Sequence, residues 1–323
     1  MTKTRILLTR RWPEAVEAEL RDRHELVVDA DDRKLTPDAL RAAMRQFDVL
    51  CPTVSDRIDA SIIQVPGATV RLIANYGAGV DHIDLDAARA AGIPVTNTPG
   101  VLTDSTAELA LLLMLMASRR AGEGERELRA GRWTGWRPTH LMGRSLAGLR
   151  LGLVGFGRIG QETARRASQA LGMRIAYHAR RRVATDIEAR FGAEYFDSLA
   201  GLAAASDVLS LHCHGGPETH HLIDAGVFER MKPGAILVNT ARGSVVDERA
   251  LVAALASGRI AGAGLDVYER EPAIEQALLG FENVVLLPHL GSATVETRTA
   301  MGRRAALNIE SFLAGRELPD RVA

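Results

Sequence analysis

The chain is short of lysine, cysteine, net charge and long apolar runs, and each shortage excludes something. Only Lys3, Lys34 and Lys232 are lysines, so nearly all of the 40 Lys and Arg side chains are guanidinium groups. These 40 cations face 40 Asp and Glu, and the formal net charge is zero. General nucleic-acid binders and proteins of anionic membrane surfaces need a positive excess, so neither partner is expected. Two cysteines, Cys51 and Cys213, cannot build a disulfide framework, and they lack metal-ligand spacing. The apolar core of MTKTRILLTRRW is too short for a secretory signal. The longest uninterrupted apolar run, Leu109 to Ala117, falls well short of the roughly 18 residues a membrane span needs. A cytoplasmic protein is expected.

What remains is an ordinary globular composition, 46% hydrophobic and 25% charged over 323 residues, long enough for two domains. Short apolar runs at 5–8, 26–28, 49–50, 70–74 and 93–96 read as strands, with helical patterns such as 13–21, 37–46 and 85–91 among them. A second series at 151–154, 174–177, 208–211, 236–239, 262–266 and 284–287 repeats the alternation. Strands alternating with helices predict parallel sheets with helices on both faces. A long helix is expected from Ser105, where Ser105 and Glu108 have capping-box spacing. Its body, Leu109 to Ala117, is apolar all round and should be buried on every side, which suits a position between two domains or in a subunit interface. The stretch 131–148 reads as a loop carrying Trp133 and Trp136. A last helix, 292–314, should return to the first domain.

The most informative stretch is LGLVGFGRIGQ, residues 151–161. An apolar strand runs into Gly155, Gly157 and Gly160, spaced G-x-G-x-x-G, and a helical pattern follows. Gly155 permits a tight turn, Gly157 clears space for a pyrophosphate, and Gly160 lets helix and strand approach. The helix N-terminus offers N–H groups and a partial positive charge to the anion. Near the end of the second strand of such a unit, an acid favours NAD and an arginine favours NADP. Here the strand runs into His178-Ala179-Arg180-Arg181-Arg182, with no acid, so NADP(H) is preferred and NAD(H) remains possible.

Three later strand ends carry polar residues: 238–244, 264–272 and 287–294. Ligands bind at such ends in open α/β sheets. Arg242 can fork onto a carboxylate or carbonyl oxygen. His289 can give a proton to a developing alkoxide. Glu271 can hydrogen-bond the imidazole, fix its tautomer and raise its pKa. His212, His214, His220 and His221 are irregularly spaced with no acidic or Cys pair framing them, so no metal is expected. Asp81 and His82 read as fixing loop geometry, and Cys51 as a small buried hydrophobe.

The motifs NYGAGVDHID (75–84), NTPGVLTDSTAELA (97–110), GLVGFGRIGQ (152–161), MKPGAILVNTARGSVVDERAL (231–251), AGAGLDVYEREP (261–272) and PHLGSAT (288–294) resemble the D-isomer-specific 2-hydroxyacid dehydrogenase family. The likeness extends over essentially the whole chain. It is strongest to the glyoxylate/hydroxypyruvate reductase branch, through GWRPTHLMG, CPTVSDRID and the Arg-bearing second strand. The resemblance implies two doubly wound parallel-sheet domains with a cleft between them: a flavodoxin-like substrate domain (1–99 plus 290–323) and a Rossmann cofactor domain (100–289). It implies Arg242, Glu271 and His289 as the catalytic trio. It implies cofactor contacts from Thr106, Gly155, Phe156, Gly157, Arg158, Ile159, Gly160, Ala179, Arg180, Arg181, Thr240, Ala241, Asp266 and Gly291. Val54, the amides of Ala78 and Gly79, Arg242, His289 and Trp136 would meet the substrate, with Trp136 reaching a partner subunit's site. A homodimer reducing glyoxylate or hydroxypyruvate with NADPH is expected. The alternatives are an NAD-dependent enzyme for D-lactate or 3-phosphoglycerate, and a cofactor-sensing corepressor-like protein. The chain departs from the family at 212–217 (HCHGGP), which puts the cofactor contacts of that loop in doubt.

Overall fold

A computed structural model describes residues 3–323. Contacts gather into two compact units, one up to Leu102 together with Ser292–Ala323, the other Thr103–Gly291. In the first, strands β1 (Arg5–Leu8), β2 (Glu25–Val27), β3 (Val49–Cys51), β4 (Leu72–Ala74) and β5 (Val95–Thr96) alternate with helices α1 (Glu14–Arg21), α2 (Pro37–Met44), α3 (Ala60–Ile63) and α4 (Leu85–Ala90). The strands pair in parallel in the order β2-β1-β3-β4-β5, the flavodoxin-like order. The closing helix, Val295–Leu313, packs on α1 and β4 of this same unit. The central strands are apolar on both faces because helices cover both: Ile6, Leu8, Val49, Leu50, Leu72 and Ile73 are all buried.

The second unit opens with α5 (Thr103–Ser118) and α6 (Ala121–Arg129). It continues through β6 (Arg150–Val154), α7 (Arg158–Leu171), β7 (Arg174–His178), α8 (Thr185–Phe191), β8 (Glu194–Tyr195), α9 (Leu199–Ala205) and β9 (Val208–Leu211). Then come α10 (Ala225–Arg230), β10 (Ile236–Asn239), α11 (Glu248–Ala256), β11 (Gly262–Leu265) and β12 (Val284–Leu286). The parallel sheet runs β12-β11-β10-β9-β6-β7-β8. Strand order therefore reverses at the β6–β9 neighbours, where Val154 pairs with Leu211. That switch point is where open α/β sheets take their ligands. Aromatic packing fixes β7 beneath it: Phe156 stacks on Tyr177 at 4.3 Å and meets Phe191 edge-on at 5.8 Å.

Three expectations need correction. Helix α5 begins at Thr103, so Ser105 lies inside its first turn, buried, and is not a cap. Asp104 occupies that turn and pairs with Arg166 of α7 at 2.9 Å, a favourable place for a carboxylate near a helix N-terminus. The apolar body of α5 is not covered on every side within the chain, for Leu112 is 45% and Leu115 38% exposed. The two-residue strand β8 was missed, because its pattern is too short to show a period. No helix among the described residues is long and apolar enough to cross a membrane.

Candidate active site

The glycine turn behaves as its spacing predicts. Gly155 has φ of +91°, a left-handed conformation that favours glycine, and a Cβ there would lie 2.8 Å from the His212 carbonyl oxygen. A Cβ on Gly160 would lie 2.5 Å from the Gly155 oxygen, so helix and strand touch at this point. On Gly157 a Cβ would meet nothing within 4 Å. The two outer glycines thus shape the turn, while the middle one faces open space. Gly157 caps α7 without a side-chain hydrogen bond, and no acid sits in the first turn. Arg158 and Ile159 are the first residues of this 14-residue helix, so its N–H groups and dipole are available to an anion. These features fit a dinucleotide pyrophosphate. The Phe156 ring points into the core, and its carbonyl accepts from Gln161 Nε2 at 2.9 Å. Its contribution is therefore through the backbone, and Gln161, which sequence reasoning passed over, fastens the turn.

Beyond β7 the arginine run divides. Ala179 lies at the strand end, partly buried. Arg182 is held by Glu188 through two bonds of 2.8 Å, and Tyr177 Oη donates to the same carboxylate at 2.6 Å. Those bonds, Arg182's first, drop the Glu188 carboxyl to about 2. Arg182 is thus engaged by a carboxylate six residues on. Arg180 pairs with exposed Glu218. Arg181 is exposed and has no ion pair among the described residues. In the 212–217 loop, His212 Nε2 lies 2.9 Å from Ser210 Oγ, and burial pushes this imidazole down to about 4, so it is neutral at physiological pH.

Three loops at the other strand ends converge. After β10, the Asn239 side chain bonds both the Ala241 N–H (3.0 Å) and the Arg242 carbonyl (2.9 Å), and Arg242 Nη1 donates to the Ala241 carbonyl at 2.8 Å. A Cβ on Gly243 would fall 1.8 Å from the Tyr268 carbonyl carbon, so only glycine lets the Arg242 loop cross the loop after β11. There Glu271 accepts from the Tyr268 N–H at 3.0 Å through one oxygen and contacts His289 Nδ1 at 2.9 Å through the other. Burial raises the Glu271 carboxyl, but the His289 bond and charge, the Tyr268 amide and the Arg242 charge outweigh it and hold it below the usual range. Arg242, Glu271 and His289 therefore act on one another, although 29 and 18 residues separate them in sequence.

The turn that bears His289 is built by Asp266. Its buried carboxylate accepts from the Leu290 N–H at 2.6 Å and the Gly291 N–H at 2.8 Å, while its carbonyl takes the His289 N–H. Burial pushes its carboxyl up. The Gly291 carbonyl in turn accepts from Thr106 Oγ1 at 3.2 Å. His289 itself has φ of +55°, uncommon for a side chain with a Cβ. Next door, Ala241 is buried, and Thr240 Oγ1 is buried with no hydrogen-bond partner. An orphaned hydroxyl at a strand end fits a polar cofactor.

The first unit holds the remaining predicted residues. After β4 the Asn75 amide donates to the Gly77 and Gly79 carbonyls at 3.0 and 2.9 Å, Asn97 donates to the Ala78 carbonyl at 2.7 Å, and His82 Nε2 meets Asn75 Oδ1 at 3.0 Å. The loop's carbonyls are thus occupied, and the Ala78 and Gly79 amides donate to no acceptor among the described residues. His82 fixes this loop, as expected. Asn75 and Asn97 were missed, although both stand inside motifs already singled out. Val54 lies exposed in a turn where buried Asp56 accepts from the Thr53 N–H at 2.8 Å. Trp136, in the second unit's 130–149 loop, is 81% exposed.

The family model for the D-isomer specific 2-hydroxyacid dehydrogenase NAD binding domain matches residues 111–291. A glyoxylate reductase from Thermococcus litoralis is 42% identical over 99% of this chain and 97% of its own. A glycerate dehydrogenase from Hyphomicrobium methylovorum is 39% identical over the full length of both. Among solved structures, an NADPH-dependent glyoxylate/hydroxypyruvate reductase from Sinorhizobium meliloti, in complex with NADP and malonate, aligns with a TM-score of 0.88 at 37% identity, covering 100% of this chain and 97% of that one.

Proposed function

Since the chain belongs to the D-isomer-specific 2-hydroxyacid dehydrogenase family, and so is an NAD(P)-dependent 2-hydroxyacid dehydrogenase, we propose that it reduces glyoxylate or hydroxypyruvate to glycolate or D-glycerate with a preference for NADPH. The observation that carries the reading is the 2.9 Å contact of His289 with Glu271, with the Arg242 charge acting on the same carboxylate. With Nδ1 turned to Glu271, the imidazole keeps Nε2 for the substrate. As an imidazolium it gives the Nε2 proton to the carbonyl oxygen, and Glu271 steadies the cation before transfer. The Arg242 guanidinium offsets negative charge on the substrate's carboxylate and carbonyl oxygens. We assign the substrate carboxylate to the Ala78 and Gly79 amides as well, and Val54 and Trp136 to its side group. A nicotinamide, when bound, would supply the hydride for the new C–H bond at the carbonyl carbon.

The unit ending in Gly291 is assigned to the cofactor and the unit containing Ala78 and Gly79 to the substrate. Thr106, Thr240, Ala241, Asp266 and Gly291 would surround the nicotinamide side, with Asp266 acting by shaping the turn. NADPH preference rests on Arg180 and Arg181 and on the lack of an acid at 178–182. A homodimer is the reading of exposed Leu112 and Leu115 on α5 and of exposed Trp136, and light scattering measures it directly. We assign the protein to the cytoplasm on its two cysteines, which build no disulfide framework.

Initial rates with NADPH and NADH across glyoxylate, hydroxypyruvate and pyruvate test the proposal. Faster turnover of pyruvate, or equal kcat/KM with the two cofactors, contradicts it. His289→Ala should depress kcat by two to four orders of magnitude, the scale of general acid catalysis, with cofactor affinity unchanged. A near wild-type rate removes His289 from the chemistry.

A further inference from the structure

On the second unit, a turn and a strand-end loop bring together groups that neither the glycine turn nor the catalytic trio uses. His220 and His221 stack with ring centroids 3.9 Å apart. His221 Nε2 lies 3.2 Å from Glu269 Oε1. One ligand atom from each of His220, His221 and Glu269 lies within 4.8 Å of the others. The sequence showed four irregularly spaced histidines with no acidic or Cys pair framing them; folding brings Glu269 to two of them, 48 residues beyond His221.

The surroundings are electronegative. Glu248 accepts the Glu269 N–H at 2.9 Å. Glu275 stands close enough to Glu248 for their charges to repel. None of these three glutamates forms an ion pair with Lys or Arg among the described residues; the only partner is His221. Carboxylates without a fixed cation, set against two imidazoles, make a place for a positive ion.

The donors decide which ion. Two imidazole nitrogens and one carboxylate oxygen suit zinc and its first-row neighbours, whereas magnesium and calcium prefer oxygen alone. At metal–nitrogen distances of about 2.1 Å, tetrahedral ligands stand about 3.4 Å apart. Exposed His220 is free of secondary structure and can rotate to close that gap. Three protein ligands leave a fourth position for water.

We propose that His220, His221 and Glu269 form a divalent transition-metal site of the zinc class. The His221 N–H donates to the Ser244 carbonyl at 2.8 Å, and the Ile223 N–H to that of Val245 at 2.9 Å, so the turn is fastened just after Arg242. Glu269 stands two residues before Glu271. A bound ion therefore clamps the segments that follow Arg242 and precede Glu271.

Calorimetric titration of the metal-stripped, full-length protein with zinc chloride tests the site, alongside His220→Ala and Glu269→Gln, both checked for folding by circular dichroism. One ion per chain is expected, with affinity at least tenfold weaker in each variant and unchanged turnover of His220→Ala in metal-free buffer. Absence of saturable binding to the wild type overturns the proposal. So does binding of wild-type strength in both folded variants, which would put the ion elsewhere.

Discussion

Replacing Glu271 by Gln removes one charge and almost no volume, and the structure sets the expected cost. The wild-type carboxylate receives the Tyr268 N–H at 3.0 Å and faces His289 Nδ1 at 2.9 Å. A glutamine oxygen can keep the first bond. The second then sets the amide nitrogen, a donor, against an imidazole that must carry protons on both nitrogens, so the charge-assisted bond is lost. Full unit charges at that distance in an effective dielectric of about 20 would give roughly 6 kcal/mol. Both side chains are about one-third exposed, so water screens much of it, and the usual 1.5–3 kcal/mol of a charge-assisted bond applies, at about 1.4 kcal/mol per tenfold in rate. kcat/KM for the oxoacid should therefore fall roughly ten- to 150-fold. Steady-state kinetics at saturating NADPH measure it, and fluorescence titration of NADPH should show unchanged affinity. A kcat/KM within twofold of wild type, in a protein of unchanged unfolding midpoint, refutes the idea that Glu271 acts through the imidazole.

Arg180→Ser/Arg181→Ser should raise the KM for NADPH about tenfold, roughly one charge-assisted contact, and change that for NADH less than twofold; parallel losses with both cofactors count against a phosphate role. Arg182→Ser, which leaves Glu188 without its cation, should instead lower the unfolding midpoint. Gly243→Ala forces a Cβ to within 1.8 Å of the Tyr268 backbone, so denaturant titration should show a loss of about 3 kcal/mol, the upper end for overpacking, and a stability near wild type contradicts the crossing. Glu162 is held at about 2 by Arg165 and then, against burial, by Arg166, and Glu188 at about 2 by Arg182 and then Tyr177. Both values lie below the ordinary 4.5. Their stabilisation is therefore complete above about pH 4.5 and is lost as pH falls through about 2. Acid titration of Glu162→Gln and Glu188→Gln, followed by circular dichroism, should show shallower pH dependence over that range.

Much of the fold was legible because its signals are local. Apolar runs such as 208–211 and 236–239 are strands to the residue, since a strand buried on both faces needs no partner to announce itself. Gly155 and Gly160 were legible because their constraints, a left-handed φ and a 2.5 Å approach, lie within one turn. Where the reading failed, a distant partner decided. The start of α5 was placed too late because Asp104, not Ser105, serves its first turn, through Arg166 62 residues away. In the arginine run, the partners of Arg182 and Arg180, Glu188 and Glu218, are likewise not their sequence neighbours.

The candidate site shows the same division in a sharper form. Arg242, Glu271 and His289 were each nominated by residue type at a strand end, a local criterion. What makes them one device is the framework beneath, and that framework has no signature of its own. Asn239 turns the chain so that Arg242 leaves the sheet, Gly243 permits the crossing with Tyr268, and Asp266 gathers the amides of Leu290 and Gly291 so that His289 sits in its left-handed conformation. The Asn239 and Asp266 side chains spend their polar atoms on backbone and Gly243 has none, so none of the three has an obvious reason to touch a ligand. A carboxylate as buried as Asp266 would ordinarily be costly; the two amides offset that cost and in doing so fix the imidazole. Asp266→Asn should therefore impair turnover by displacing His289 while Glu271 and Arg242 stay intact, because an amide nitrogen cannot accept from one of the two N–H groups and leaves it unpaired at about 1–3 kcal/mol.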